Sequence, residues 1–103
     1  MIPDKTEEEA MVFRVLGDPT RLRLIKLLCR QSQPSALCVN ALAMTLGVTQ
    51  SAVSQHVRVL KSIGLVKGER RGYHIHYFVN QETLKYYHNL ILKILDIEKL
   101  KKY

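Results

Sequence analysis

One side of the segment TQSAVSQHVRVLKSIGLV, residues 49–66, carries polar and basic side chains and no acid. In a helix, with about 100° between successive residues, these side chains share an arc of roughly 140°. They are Gln50, Ser51, Ser54, Gln55, Arg58, Lys61 and Ser62. Side-chain amides donate and accept hydrogen bonds, hydroxyls do either, and guanidinium and ammonium groups carry positive charge. Such a face is suited to meeting a polyanion.

Double-stranded DNA is the polyanion that these residue types match best. Gln50 and Gln55 can donate and accept together, as adenine recognition requires, whereas the two basic residues further along suit phosphates or guanine. Thr49 precedes the predicted helix, where backbone N–H groups favour a phosphate. The sequence therefore predicts DNA contacts at Thr49, Gln50, Ser51, Ser54, Gln55, Arg58 and Lys61, with Arg70 and Arg71 meeting the DNA backbone or a minor groove.

The charge of the chain supports an anionic partner. The 16 Lys and Arg residues outnumber the 9 Asp and Glu residues, which gives a formal net charge of +7. The acids are concentrated near the amino terminus, whereas the stretch 39–72 holds five basic residues and one acid. A segregated basic surface favours nucleic acid first and a membrane surface second.

Local signals predict where the helices begin and end. Asp18, directly before a proline, is a typical helix start, and Asn40 and Thr49 are predicted to cap two further helices. Gly47 and Gly64 are predicted to end helices. The expected order is helix, helix, short helix, glycine turn, helix.

After the polar-faced helix, the hydrophobic period changes from 3.6 residues to 2. We expect a recognition helix over about 49–63, a β-hairpin wing with a basic RRG tip over about 65–79, and a closing helix over about 81–101. The closing helix has more apolar residues than one stripe can hold, which predicts a dimer with two-fold symmetry. The predicted fold is mainly α with a small β-hairpin, a single winged helix-turn-helix domain over 1–103.

Three motifs carry a family resemblance: VLGDPTRLRLIKLL, then LCVNALAMTLGVTQSAVSQHVRVLKSIGLV, then RRGYHIHY. In this order they resemble the ArsR/SmtB family of small bacterial and archaeal transcriptional repressors, over about residues 11–79. The resemblance implies a homodimer built on the first and last helices. It also implies a two-fold symmetric operator and release by a metal ion, a thiol-reactive compound or another stress signal. The residues that correspond to the family's DNA-reading positions are Thr49, Gln50, Ser51, Ser54, Gln55 and the two wing arginines.

Many members of that family bind thiophilic metals through a Cys-x-Cys pair. Here Cys38 occupies the first position and Asn40 the second, so the pair is incomplete. One thiolate is a poor trap for such metals unless other ligands converge. Cys29 lies nine residues before Cys38 and could approach it. A Cys29–Cys38 thiol sensor is therefore one interpretation, and two ordinary half-buried cysteines are the other.

The histidines do not form a metal site that the sequence can support. The family's zinc pattern in the last helix is broken around His88 and at Lys99. His74 and His76 have a spacing that can chelate zinc or nickel, but no carboxylate or thiol lies near them in the sequence, so we interpret them as ordinary histidines of the wing surface. His56 falls among apolar residues on the wheel and is predicted to be a packed, hydrogen-bonded histidine. We predict neither a metal nor a cofactor.

Other classes of function have weaker support. We expect no enzyme, because the chain has no glycine-rich phosphate loop and no nucleophile elbow. A winged helix that binds proteins, or nucleic acid without sequence preference, is an open alternative. The acidic start, MIPDKTEEEA, is unlike a signal peptide, so we expect a cytoplasmic protein with free thiols and no membrane partner. The operator, the effector and the sign of regulation are left open.

Overall fold

The computed structural model describes residues 4–30 and 37–100. Its helices are α1 (Thr6–Leu16), α2 (Pro19–Arg30), α3 (Val39–Leu46), α4 (Gln50–Ser62), α5 (Gln81–Ile94) and the short α6 (Ile97–Leu100). Its strands are β1 (Leu37–Cys38), β2 (Val66–Arg71) and β3 (His74–Val79). This arrangement, with a helix-turn-helix followed by a β-hairpin, is the predicted winged helix-turn-helix fold.

Of the caps predicted at Asp18, Asn40 and Thr49, two form as expected. The Asp18 carboxylate accepts from the backbone N–H of Arg21 at 3.0 Å, and the Thr49 hydroxyl accepts from the N–H of Ala52 at 3.0 Å. Each cap satisfies an N–H that the first turn of a helix leaves without a partner. The prediction for Asn40 was wrong, because α3 already begins at Val39 and Asn40 lies within its first turn.

The core joins all the principal helices to the base of the wing. Leu24, Leu42, Leu60 and Leu65 are completely buried and come from α2, α3, α4 and the segment before β2. Burying side chains of this size contributes about 1.5–3 kcal/mol each relative to leaving them in water. Tyr87 joins α5 to the end of α4, since its buried hydroxyl donates to the carbonyl of Ile63 at 2.8 Å.

The turn between α3 and α4 depends on Gly47. Its backbone is left-handed, with φ of 67°, and its N–H donates to the carbonyl of Ala43. A residue with a β-carbon resists this conformation, so glycine is favoured here. The turn is short and therefore fixes the direction in which α4 leaves α3.

The wing has one more strand than the sequence predicts. β1, β3 and β2 form an antiparallel three-stranded sheet in that order, with Leu37 opposite Tyr77 and Cys38 opposite His76. The predicted hairpin is present as β2 and β3. The third strand has only two residues, and its partner lies far along the chain, so local periodicity gave no signal for the pairing.

The closing helix is shorter than predicted. α5 ends at Ile94, and α6 is a separate turn. Between them, the side chain of Asp96 accepts from the backbone N–H of Glu98 at 3.0 Å. An aspartate that caps a new turn in this way competes with continuation of the preceding helix. Residue 101, the predicted end of the closing helix, lies outside the described residues.

Candidate nucleic-acid interface

The helix α4 presents one buried and one exposed face. Val53, Val57 and Leu60 point into the core and are at most 2% exposed. The predicted contact residues of this helix, together with its cap, are all exposed: Thr49, Gln50, Ser51, Ser54, Gln55, Arg58 and Lys61. The structure therefore brings these side chains together on one surface, which we call the reading face. Within the described part of the chain, no acidic side chain lies on it.

A residue that the sequence did not single out for this face is Asn40. The Nε2 group of Gln50 donates to the Asn40 side-chain oxygen at 3.1 Å, so α3 and α4 meet through these two side chains. Both residues are exposed. The contact orients the Gln50 amide before any ligand is bound. Residues ten apart across a turn have no characteristic spacing, and sequence periodicity could not reveal this pair.

The wing carries the two predicted arginines, but its tip is displaced from the predicted position. Arg70 and Arg71 lie at the end of β2 and are exposed, and Arg71 pairs with His74 in register. The tip is therefore Gly72 and Tyr73 rather than RRG, and Tyr73 is 99% exposed. The Arg71 guanidinium lies 3.8 Å from the Glu69 carboxylate. Exposed arginine and tyrosine side chains at the end of a hairpin are suited to contact with a sugar–phosphate backbone.

Two clefts connect the reading face to the wing. One, of about 450 Å³, is lined by Asn40 and Gln50 on the helical side and by Tyr73 and His74 on the wing. The other, of about 250 Å³, is bordered by Ser54, Val57, Arg58, Lys61 and Tyr77. Because both clefts have walls from α4 and from β3, the helix and the wing border a common surface. A duplex could place its groove against the helix and its backbone against the wing.

His56 lies on the flank of α4, beside the start of α2. Its Nδ1 atom is 3.3 Å from Nη1 of Arg21 and 3.8 Å from the carboxylate of Asp18. The prediction of a packed, hydrogen-bonded histidine is confirmed. Hydrogen bonding from the Arg21 backbone N–H is the main influence that lowers the pKa of Asp18. The positive charge of Arg21, and that of His56 when its ring is protonated, act in the same direction, against a partial opposing effect of burial.

The two cysteines are free and differ in their surroundings. Cys29 is exposed in the last turn of α2, and Cys38 is half-buried in β1. Although Cys29 counts as exposed, the neighbouring residues cover part of it, and this partial burial raises the pKa of its thiol. Less of the reactive thiolate is therefore present at neutral pH. The thiol-sensor interpretation stays a prediction.

The remaining histidines are not gathered into a metal centre. His74 and His88 are exposed, whereas His76 is half-buried, and its Nδ1 atom has no hydrogen-bond partner among the described residues. Residues 4–30 and 37–100 contain no group of three or more His, Cys, Asp or Glu side chains that could hold a metal ion. In the same ranges, no helix is long and apolar enough to cross a membrane.

The sequence of the chain is similar to the sequences of several known proteins. The family model described as "Bacterial regulatory protein, arsR family" matches residues 18–67. An uncharacterized HTH-type transcriptional regulator of Methanocaldococcus jannaschii is 32% identical over 90% of this chain and 97% of its own length. A transcriptional repressor SmtB homolog of Synechocystis sp. is 43% identical over 72% of this chain, which spans about half of that protein, 53%.

A solved structure has a closely similar backbone. An ArsR-like transcriptional regulator from Rhodococcus sp. RHA1 superimposes with a TM-score of 0.74, at 26% sequence identity. The match covers 95% of this chain and 88% of that one. The similarity thus extends beyond the helix-turn-helix to the helices on either side.

Proposed function

Because the chain belongs to the arsR family of transcriptional regulators, we propose that it is a sequence-specific DNA-binding repressor that acts as a homodimer. The observation that carries the proposal is the reading face, an exposed surface without acids that adjoins the wing. In this proposal α4 lies in the major groove, and the wing contacts the backbone or the minor groove. Residues 1–103 form one such domain. The repressor role comes from the name of the Synechocystis relative.

The role that we propose for each residue follows from the chemistry of its side chain. Gln50, Ser51, Ser54 and Gln55 lie near the amino end of α4 and read base edges through hydrogen bonds. Arg58 and Lys61 lie further along and neutralise phosphates or contact guanine. Thr49 receives a phosphate at the helix start. Arg70 and Arg71 contribute contacts that do not depend on sequence.

The proposed homodimer rests on an uncovered apolar surface. Large apolar side chains of α1, α5 and the segment after α5 are between 42% and 70% exposed. They are Phe13, Tyr86, Leu92, Ile94, Leu95, Ile97 and Leu100. A set of exposed large apolar side chains on helices that contact each other is typical of a protein interface. A second copy related by a two-fold axis would cover it and place two reading faces on one side.

The proposed signal releases the repressor by binding its DNA-free form more tightly than its DNA-bound form. A thiol-reactive compound acting at Cys29 and Cys38 is one candidate, and a metal ion or another stress signal is the other. Mass spectrometry after mild oxidation checks the thiol route. A Cys29–Cys38 crosslink that abolishes DNA binding would support it, whereas oxidised protein with unchanged DNA affinity would exclude it.

The proposal is tested by fluorescence anisotropy with the DNA that lies upstream of the chain's own gene. A scrambled duplex of the same composition is the control, and both are titrated across a salt series. We expect the upstream duplex to bind tighter by roughly 10³-fold or more. Equal and steeply salt-dependent binding to both duplexes would instead indicate a basic module without sequence preference.

A further inference from the structure

Arg21 connects three parts of the helical body. Its Nε group donates to the carbonyl of Val15, at the end of α1, at 2.6 Å. Its Nη1 group lies 3.3 Å from Nδ1 of His56, in the middle of α4. Its own backbone N–H is bound by Asp18, the cap of α2. One side chain thereby links the α1–α2 junction to the helix that carries the reading face.

The chemistry of the two side chains sets the condition under which Arg21 and His56 form a hydrogen bond. A guanidinium group can only donate hydrogen bonds, so the two side chains are hydrogen-bonded only when Nδ1 of His56 carries no proton and accepts. Asp18 and Arg21 are the charged groups that the described structure places against the ring. One turn away along α4 on either side, the neighbours are Ala52, Val53, Val59 and Leu60, which carry no charge.

We infer that Arg21 and His56 are positioning residues for DNA reading: their contact sets the rotation of α4 about its axis and hence the direction in which its amides and hydroxyls point. The inference rests on the proposed function. Neither residue belongs to the reading face, although His56 directly follows Gln55. Paired hydrogen bonds to a base tolerate little misalignment, so a small rotation of α4 costs discrimination between duplexes. Contacts of the wing with phosphates are less sensitive to that rotation.

Acid changes which partner His56 can bind. A second proton on the imidazole places an N–H on Nδ1, directed at the Arg21 guanidinium, and that hydrogen bond is lost. The nearby carboxylate of Asp18, at 3.8 Å, then becomes the attractive partner. We therefore expect α4 to shift, and sequence discrimination to fall, when the solution is acidified enough to add that proton.

The test measures the ratio of dissociation constants for scrambled and upstream duplexes, from about pH 8 to about pH 5.5. His56→Leu removes the acceptor, whereas His56→Asn keeps an acceptor without an ionisable ring. Arg21→Gln replaces the guanidinium group with a shorter, uncharged side chain, and Arg23→Gln, at an exposed arginine of the same helix, loses the same charge elsewhere. Thermal unfolding by circular dichroism establishes that each variant is folded at the assay temperature.

At the higher pH, we expect His56→Leu and Arg21→Gln to lower this ratio roughly tenfold, with the scrambled duplex bound almost as before. His56→Asn and Arg23→Gln should keep it. For the wild-type chain, the ratio should fall about fivefold with acidification, whereas for His56→Asn it should stay level. The other histidines are present in both proteins, so the difference reports on His56.

Three results would overturn the inference. The first is a folded His56→Leu variant with an unchanged ratio, and the second is a pH profile shared by the wild-type chain and His56→Asn. The second measurement does not depend on whether His56→Leu folds. The third is a wild-type chain that binds both duplexes equally. This result would also overturn the proposed function, whereas the first two results would leave the proposed function intact.

Discussion

The two glutamines of the reading face differ in how far they are already engaged. Gln50 donates one of its N–H groups to Asn40, whereas the side chain of Gln55 has no hydrogen-bond partner within the described part of the chain. An amide whose orientation is already fixed by a hydrogen bond loses little conformational entropy on binding, but it can adapt less to the position of a base. We therefore expect Gln55 to make the more adaptable base contact and Gln50 the more rigid one.

At the residue scale, Gln55→Ala should lower sequence discrimination. The loss of one good amide contact to a base corresponds to about 1–3 kcal/mol of discrimination. In anisotropy titrations, affinity for the upstream duplex should fall roughly tenfold, with little change for the scrambled duplex. Gln81→Ala, which removes an exposed glutamine at the start of α5, is the control. Equal losses on both duplexes would remove Gln55 from the base-reading set.

Arg70→Ala should act in a different way from Gln55→Ala. An arginine that neutralises a phosphate contributes equally to every sequence, so the affinity for both duplexes should fall by a similar factor. The slope of the logarithm of affinity against the logarithm of salt concentration should become shallower by about 1. Arg23→Ala, on α2, serves as the charge-matched control. A selective loss on the upstream duplex would instead indicate that the wing reads sequence.

At the scale of elements, Gly47 determines how α3 passes into α4. A β-carbon at this position would meet no atom within 4 Å, so Gly47→Ala is opposed by backbone conformation alone. We expect the free energy of unfolding to fall by about 1 kcal/mol, because alanine resists a φ of 67°. Urea denaturation measures the change. Gly47→Asn should be milder, since asparagine tolerates left-handed backbone, and an equal loss would contradict this explanation.

The cap of α2 makes stability depend on pH. The pKa of Asp18 is below its ordinary value in the folded chain, mainly through the hydrogen bond from the Arg21 N–H. The resulting stabilisation is therefore fully present at pH values above the pKa that Asp18 has in the unfolded chain. It is lost as the pH falls through the lower pKa that Asp18 has in the folded chain. Asp18→Asn keeps a capping side chain but removes this titration. Thermal midpoints should fall less steeply with acidification in this variant, and an identical acid profile would contradict the assignment.

The sequence predicts the elements where the signals are local. Asp18, Thr49 and Gly47 each act within one turn of chain, and all three function in the structure as expected. The strand pairing of Leu37 with Tyr77 was missed because it depends on residues that are distant along the chain. The end of α5 was missed because the competing cap at Asp96 was masked by an uninterrupted apolar pattern.

In the candidate site, too, the features that depend on local sequence could be predicted, whereas the contacts between distant residues could not. The exposed face of α4 follows from helical periodicity, so its members could be predicted before the fold was known. The contacts from Gln50 to Asn40 and from Arg21 to His56 join separate helices, and no spacing rule predicts them. The exact wing tip depends on strand register, and the register places Tyr73 there rather than the arginines.

At the scale of the whole molecule, Leu92→Glu should disrupt the proposed dimer. Leu92 is 55% exposed on α5, and a carboxylate there would have to be buried between two copies of the chain. We expect multi-angle light scattering to show a monomer. The affinity for the upstream duplex should fall roughly a hundredfold, because a monomer no longer holds a second DNA-binding domain beside the first. Gln81→Glu is the control. A wild-type chain that is already monomeric would contradict the homodimer.

The strand order also determines when the DNA-binding surface can exist during synthesis. β1 precedes the helix-turn-helix, yet it pairs with β3, which is made after α4. A chain emerging from the ribosome therefore has α3 and α4 outside before the sheet that flanks them can close. Until β3 emerges, β1 has no partner strand and the cleft beside Gln50 lacks its second wall. A nascent chain that stops short of β3 is thus unable to present helix and wing together, so DNA binding that uses both surfaces requires β3 to have been made.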